Sequence, residues 1–90
     1  MLDKQGRIVV PKELKVPNTE GGNAFFYYSM EEKLFYILFE EVSDEFLTEI
    51  RQIDRKNRIF IPKRVIEIYE TENIFCAQKG NRIYLIPIKK

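Results

Sequence analysis

The sequence predicts a mostly β protein with short helices, built from two tandem halves around one core. Three observations carry that expectation. First, Asp3-Lys4-Gln5-Gly6-Arg7-Ile8-Val9-Val10-Pro11-Lys12 returns as Asp54-Arg55-Lys56-Asn57-Arg58-Ile59-Phe60-Ile61-Pro62-Lys63, so the chain contains an internal repeat;. Second, each copy runs from a turn into a short β-branched or aromatic stretch that ends at proline;. Third, each copy is followed by two apolar runs separated by turn-forming residues, the pattern of a hairpin;.

Gly6 and Asn57 occupy equivalent positions. Glycine and asparagine accept a left-handed backbone most readily, so a positive φ is expected at both. Ile8-Val9-Val10 and Ile59-Phe60-Ile61 read as strands;. Pro11 and Pro62 end them and suit the first turn of a helix, which is expected from Pro62 to Tyr69 and, cut short by Pro17, in the first half;. Residues 16–23, with Pro17, Asn18, Gly21 and Gly22, read as loop;. Strands are expected at 24–29 and 34–40 around Met30-Glu31-Glu32-Lys33, and again at 74–78 and 82–88 around Lys79-Gly80-Asn81;. Pro87 cannot donate to a ladder, so it belongs on an edge or at a strand end. Residues 43–49 join the halves, with Ser43 or Asp44 suited to cap a turn of helix;.

The halves differ at their starts. Residues 47–53 ahead of the second motif are long enough for a strand, whereas Met1 and Leu2 alone precede the first. That leaves either an open sheet edge or a place for another chain.

At 90 residues the chain fits one domain, residues 1–90, composed of repeats 1–44 and 45–90;. Neither half is large enough to bury a sufficient core alone, so the two are expected to share one. Cys76 is the single cysteine, which excludes an intramolecular disulfide and agrees with a reducing cytoplasm;. The start of the chain has no apolar stretch after a basic one, and no apolar run is long enough to span a bilayer, so no membrane partner is expected;.

Net charge is only +1, but its distribution is uneven. Residues 51–64 hold Arg51, Arg55, Lys56, Arg58, Lys63 and Arg64 against the single acid Asp54. Residues 1–15 hold four basic side chains against two acidic ones, and residues 16–50 hold eight acids against Lys33. Positive charge therefore gathers on the repeated motif, where it can meet phosphate.

This motif, Asp-x-x-Gly-Arg-Ile-x-Ile/Val-Pro-Lys, resembles that of the AbrB/MazE/MraZ superfamily of swapped-hairpin DNA-binding domains. The first copy is close to the pattern, and the second carries Asn57 at the usual glycine. Two copies in one chain are similar to the MraZ arrangement or to a fused pair of AbrB-type halves. The resemblance implies that two halves interleave their hairpins into one small barrel and that paired loops present arginines to duplex DNA.

Arg7 and Arg58 are the first candidates for DNA contact, since a guanidinium matches a guanine edge or a phosphate in bidentate fashion. The competing reading is a structural ion pair from each to Asp3 and Asp54, which is compatible with binding. Lys4, Gln5, Arg55 and Lys56 lie in the same turns and suit phosphate contacts; Lys12, Arg51, Lys63 and Arg64 suit the rim;. The excess of charge on the second copy predicts an asymmetric contact.

Phe25-Phe26-Tyr27-Tyr28 and Leu34-Phe35-Tyr36-Ile37-Leu38-Phe39 contain no basic residue, so they read as core or subunit interface in preference to a base-stacking platform;. An enzyme is not expected: there is no histidine, no partnered nucleophile, no metal-ligand spacing and no phosphate-cradling glycine loop;. Glu31/Glu32 and Glu40/Glu41 read as solvated turns, and Cys76 as a buried inert thiol;. No cofactor, metal or small-molecule substrate is expected. The leading expectation is a duplex-DNA-binding regulator or small chromatin-associated factor, a homodimer or larger homo-oligomer. The alternative is a protein-interaction module of the same fold, with the MazE-type antitoxin version weakened because no tail follows Ile88-Lys89-Lys90.

Overall fold

A computed structural model of the chain describes residues 6–9, 22–42 and 46–88. The elements are β1 (Arg7–Val9), β2 (Asn23–Ser29), β3 (Leu34–Leu38), β4 (Leu47–Gln52), β5 (Arg58–Phe60), α1 (Lys63–Tyr69), β6 (Ile74–Lys79) and β7 (Arg82–Pro87). The fold is mostly β, as expected. Asp3, Lys4, Gln5, Pro11, Lys12, the expected first helix and the Ser43/Asp44 cap lie outside the described residues.

The strands form two antiparallel sheets: a ribbon of β1 and β5, and a five-stranded sheet in the order β4-β2-β3-β7-β6. Among the described residues these sheets do not join into the closed barrel the sequence led us to expect. One face of the larger sheet carries Ala24, Phe26, Phe35, Ile37, Ile74, Ile83 and Leu85; Ile8 and Ile59 of the ribbon and Val65 and Tyr69 of α1 pack over it. The other face buries Tyr27, Tyr36, Leu38 and Tyr84. The two apolar runs thus serve as core, and their lack of alternation reflects burial on both faces of the sheet.

The two halves are related by an approximate twofold axis that both ladders record. Ile8 pairs with Ile59, its counterpart in the repeat, and Arg7 and Val9 pair with Phe60 and Arg58. In the larger sheet Tyr36 pairs with Tyr84, each the third residue of the returning strand of its hairpin. Strand β4 links the halves. It belongs to the second half but pairs with β2 of the first, and no described strand pairs with β6 in the corresponding place.

Local chemistry accounts for the connections. Gly6 has φ +78° and Asn57 φ 58°, the left-handed pair the repeat predicts;. Between β6 and β7 only Gly80 is left-handed, φ 65°, which suits a tight two-residue hairpin;. The longer loop from Met30 to Lys33 closes with Lys33 at φ 57° and its N–H on the Ser29 carbonyl at 2.8 Å. Helix α1 is too short to be stable alone. It begins after Pro62 and is held by buried Val65 and Tyr69. The Tyr69 hydroxyl receives the Phe35 N–H at 2.7 Å and donates to the Leu85 carbonyl at 2.6 Å, tying the helix to β3 and β7. Burial pushes this phenol up to about 12, because an ionised oxygen there would lose its hydration;. Pro87 is the last residue of β7, where its missing N–H interrupts no ladder;.

Candidate nucleic-acid interface

The turn before β5 is organised by one carboxylate. Asp54 Oδ1 accepts the backbone N–H groups of Lys56 at 2.9 Å and Arg58 at 2.8 Å, while Oδ2 accepts Arg58 Nε at 2.7 Å. The Asn57 N–H closes the turn on the Asp54 carbonyl at 3.1 Å. Desolvation raises the Asp54 pKa, but the hydrogen bonds from Arg58 and Lys56 and the Arg58 charge outweigh it and hold the carboxyl below its ordinary value of 3.8;. The structural ion pair weighed for Arg58 is therefore present. It engages Nε and leaves the outer Nη edge of the guanidinium outside that contact, which fixes the plane of the group without consuming it;.

Strand pairing determines where the two repeated arginines go. Side chains of directly paired residues lie on one face of a ribbon. Arg7 pairs with Phe60 and Val9 with Arg58, so all four project from the same face while Ile8 and Ile59 point into the core. Arg7 and Arg58 are diagonal neighbours across the ribbon, with backbones about 7–8 Å apart by standard sheet geometry. Val9 is 62% exposed and Phe60 50%. The Arg7 guanidinium lies 5.5 Å from the centre of the Phe60 ring, a cation–π contact that stiffens the long side chain;. Gly6 and Asn57 sit at opposite ends of the ribbon, but it is only three pairs long and the arginines share its outer face.

Beside this face an open groove of about 590 Å³ is lined by Arg51, Gln52, Ile53, Asp54, Arg55, Arg58 and Phe60. Three of the expected site residues, Arg51, Arg55 and Arg58, thus converge against one acid. Arg51 is partly committed, with Nη1 on Glu49 Oε2 at 3.0 Å and on the Ile50 carbonyl at 3.1 Å. Arg55 and Lys56 are exposed in the turn. Lys63 and Arg64, exposed at the start of α1, do not line the groove. Lys4, Gln5 and Lys12 lie outside the described residues. Sequence reasoning passed over Val9 and Phe60 as strand residues. Their period-2 relation to Ile8 and Ile59 was the available signal, since inward isoleucines require outward neighbours.

Cys76 lies on β6 as expected and is only half-buried; burial raises its thiol pKa, so little reactive thiolate forms near neutral pH;. Among the described residues no helix is long and apolar enough to cross a membrane. No protein-family model, curated protein or solved structure matches the chain.

Proposed function

We propose that the chain binds duplex DNA through the outer face of the β1–β5 ribbon, as a transcriptional regulator or small chromatin-associated factor without catalytic activity. One observation carries this reading: Arg7 and Arg58, far apart in sequence, come to lie on one face of a two-stranded ribbon with exposed Val9 and Phe60. The major groove of B-DNA admits a two-stranded ribbon, arginine matches guanine O6 and N7, and apolar side chains match the thymine methyl group. The groove with Arg51 and Arg55 supplies further positive charge for the phosphates at one side;. The asymmetry of that charge favours a contact in which the second repeat binds more strongly. The interleaving of β4 with the first half's hairpin agrees with the swapped-hairpin arrangement that the repeated motif resembles.

The test is fluorescence anisotropy of a mixed-sequence duplex at low and moderate salt, beside an Arg7→Ala/Arg58→Ala variant whose fold is checked by circular dichroism. Binding that weakens steeply with salt and is lost in the variant supports the proposal, because neutralising phosphates releases counterions. Affinity that hardly changes with salt ends it.

A second reading has its own observation. Phe46, Leu47 and Ile50 near and on β4 are exposed apolar residues, as are Val9 and Phe60 on the ribbon. A protein-interaction module would use such a surface, and it would show no duplex binding at low salt.

A further inference from the structure

We infer that the outer face of the β1–β5 ribbon reads two guanines, one on each strand of the duplex and about two base-pair steps apart, with Arg7 on one and Arg58 on the other;. The inference rests on the duplex-DNA reading above and adds to it the class of sequence that the ribbon selects.

Symmetry decides which strands are read. Arg7 and Arg58 hold the same place in the two copies of the repeat, as do Val9 and Phe60. Strands β1 and β5 run antiparallel about the Ile8–Ile59 pair, so a local twofold axis normal to the ribbon exchanges Arg7 with Arg58 and Val9 with Phe60. The two strands of a duplex are antiparallel as well, and a twofold axis looking into the major groove exchanges them. When the two axes coincide, the group that Arg7 meets on one strand is met by Arg58 on the other. Two guanines along one strand would need arginines related by a shift, and antiparallel pairing relates them by a rotation instead.

Spacing decides how far apart the bases lie. The backbones of Arg7 and Arg58 are about 7–8 Å apart on the diagonal of the ribbon;. Base pairs follow one another at about 3.4 Å, so the diagonal spans two steps. Guanine presents O6 and N7 side by side in the major groove, the acceptor pair that suits a guanidinium fork. The core that satisfies both arginines is a G·C pair, any central pair, and a second G·C pair with its guanine on the other strand. Exposed Val9 and Phe60 take the opposite diagonal, where their apolar side chains match a thymine methyl group and offer no donor to a further guanine;.

Each arginine is steadied by a different neighbour. Asp54 Oδ2 accepts Arg58 Nε at 2.7 Å and leaves the Nη edge outside that contact. The Arg7 guanidinium lies against the Phe60 ring. Both side chains are only partly buried, so the forks reach the surface that the bases would meet. Phosphate contacts alone position a protein without reading sequence, so a preference for this arrangement of guanines isolates the base contacts.

The experiment is anisotropy of the wild-type chain, at one low salt concentration, on duplexes that differ only in a three-base-pair core between A·T flanks. The cores GAC and CAG place their guanines on opposite strands, and GAG has the same composition with both guanines on one strand. The better of GAC and CAG should bind about 5- to 150-fold tighter than GAG, the worth of one bidentate arginine–guanine contact. Inosine keeps O6 and N7 and lacks only the minor-groove amino group, so it should replace guanine without loss. Arg58→Gln should shift the preference to a core in which adenine replaces one guanine, because glutamine matches adenine N6 and N7. A merely structural role for Arg58 would not redirect the preference. Equal binding of all three cores overturns the inference and leaves duplex binding standing. Loss of binding with inosine overturns it too, by placing the contact in the minor groove. Absence of binding to every duplex at low salt overturns the duplex reading itself. The wild-type comparison decides among these outcomes even if the variant fails to fold.

Discussion

The two copies of the repeat share a strand and a left-handed turn position and differ in the charge that their sequences carry. Strands β1 and β5 pair antiparallel about the equivalent residues Ile8 and Ile59, each entered through a left-handed position and each burying one isoleucine. Around β5 the described residues also include β4, the Asp54-centred turn, the arginine-lined groove and α1, whereas residues 1–5 and 10–21 beside β1 lie outside them. The comparison teaches that a common local motif sets strand direction and face, while the residues around it set how much charge stands beside each copy.

The largest test of that likeness is the ribbon core. Ile8→Ala and Ile59→Ala should each cost about 2–5 kcal/mol, measured by urea denaturation, because each leaves a cavity under the ribbon. A much smaller loss at Ile8 would show that the first copy contributes little to the shared core. Next come the arginines. Arg58→Ala and Arg7→Ala should each weaken duplex binding by about 1–3 kcal/mol in anisotropy titrations, with Arg58 the greater. Equal losses would remove the predicted asymmetry.

Tyr69→Phe tests how α1 is attached to the larger sheet. It strands the Phe35 N–H and the Leu85 carbonyl in the core and should cost about 1–3 kcal/mol in the same denaturation assay;. The raised phenol also sets an alkaline limit. Its stabilisation is complete below the ordinary value of 10.0 and is lost as pH rises towards about 12;. Tyr69→Phe should flatten that part of the stability profile.

The turns sharpen the comparison further. No atom lies within 4 Å of a Cβ built on Gly6, so Gly6→Ala is opposed only by its positive φ and should cost about 1–2 kcal/mol;. Asn57→Ala should cost somewhat less in thermal melts, and Asn57→Gly should be close to neutral. The smallest effect is expected at Asp54. Its carboxyl is depressed, so its contribution is present above the ordinary value of 3.8 and is lost as pH falls through the lower folded value;. Asp54→Asn should flatten the acid limb of the stability profile, and an unchanged limb would show that the turn is held by its backbone alone.

Much of the fold was legible in the residues. The repeat announced two halves; Gly6 and Asn57 announced the left-handed turns; Pro62 announced the start of α1; and two hairpins followed from apolar runs broken by turn formers. These features depend on interactions within a few residues, so local chemistry is enough to read them. The Asp54–Arg58 pair was legible for the same reason, being one turn apart.

Sequence spacing could not say that β1 would lie on β5, that Tyr36 would meet Tyr84, or that β4 would cross to the first half's hairpin. It also named Arg7, Arg51, Arg55 and Arg58 without their positions relative to one another, and it missed Val9 and Phe60. Short strands can pair in many ways at similar local energy, and only simultaneous burial of Ile8, Ile59, Phe26 and Phe35 in one core selects among them;. The sequence by itself determined the repeated turn, strand and helix signals and the placement of charge on the motif. The tertiary structure decided which strands paired, because only shared burial selects among pairings of similar local energy, and thereby put both arginines on one face.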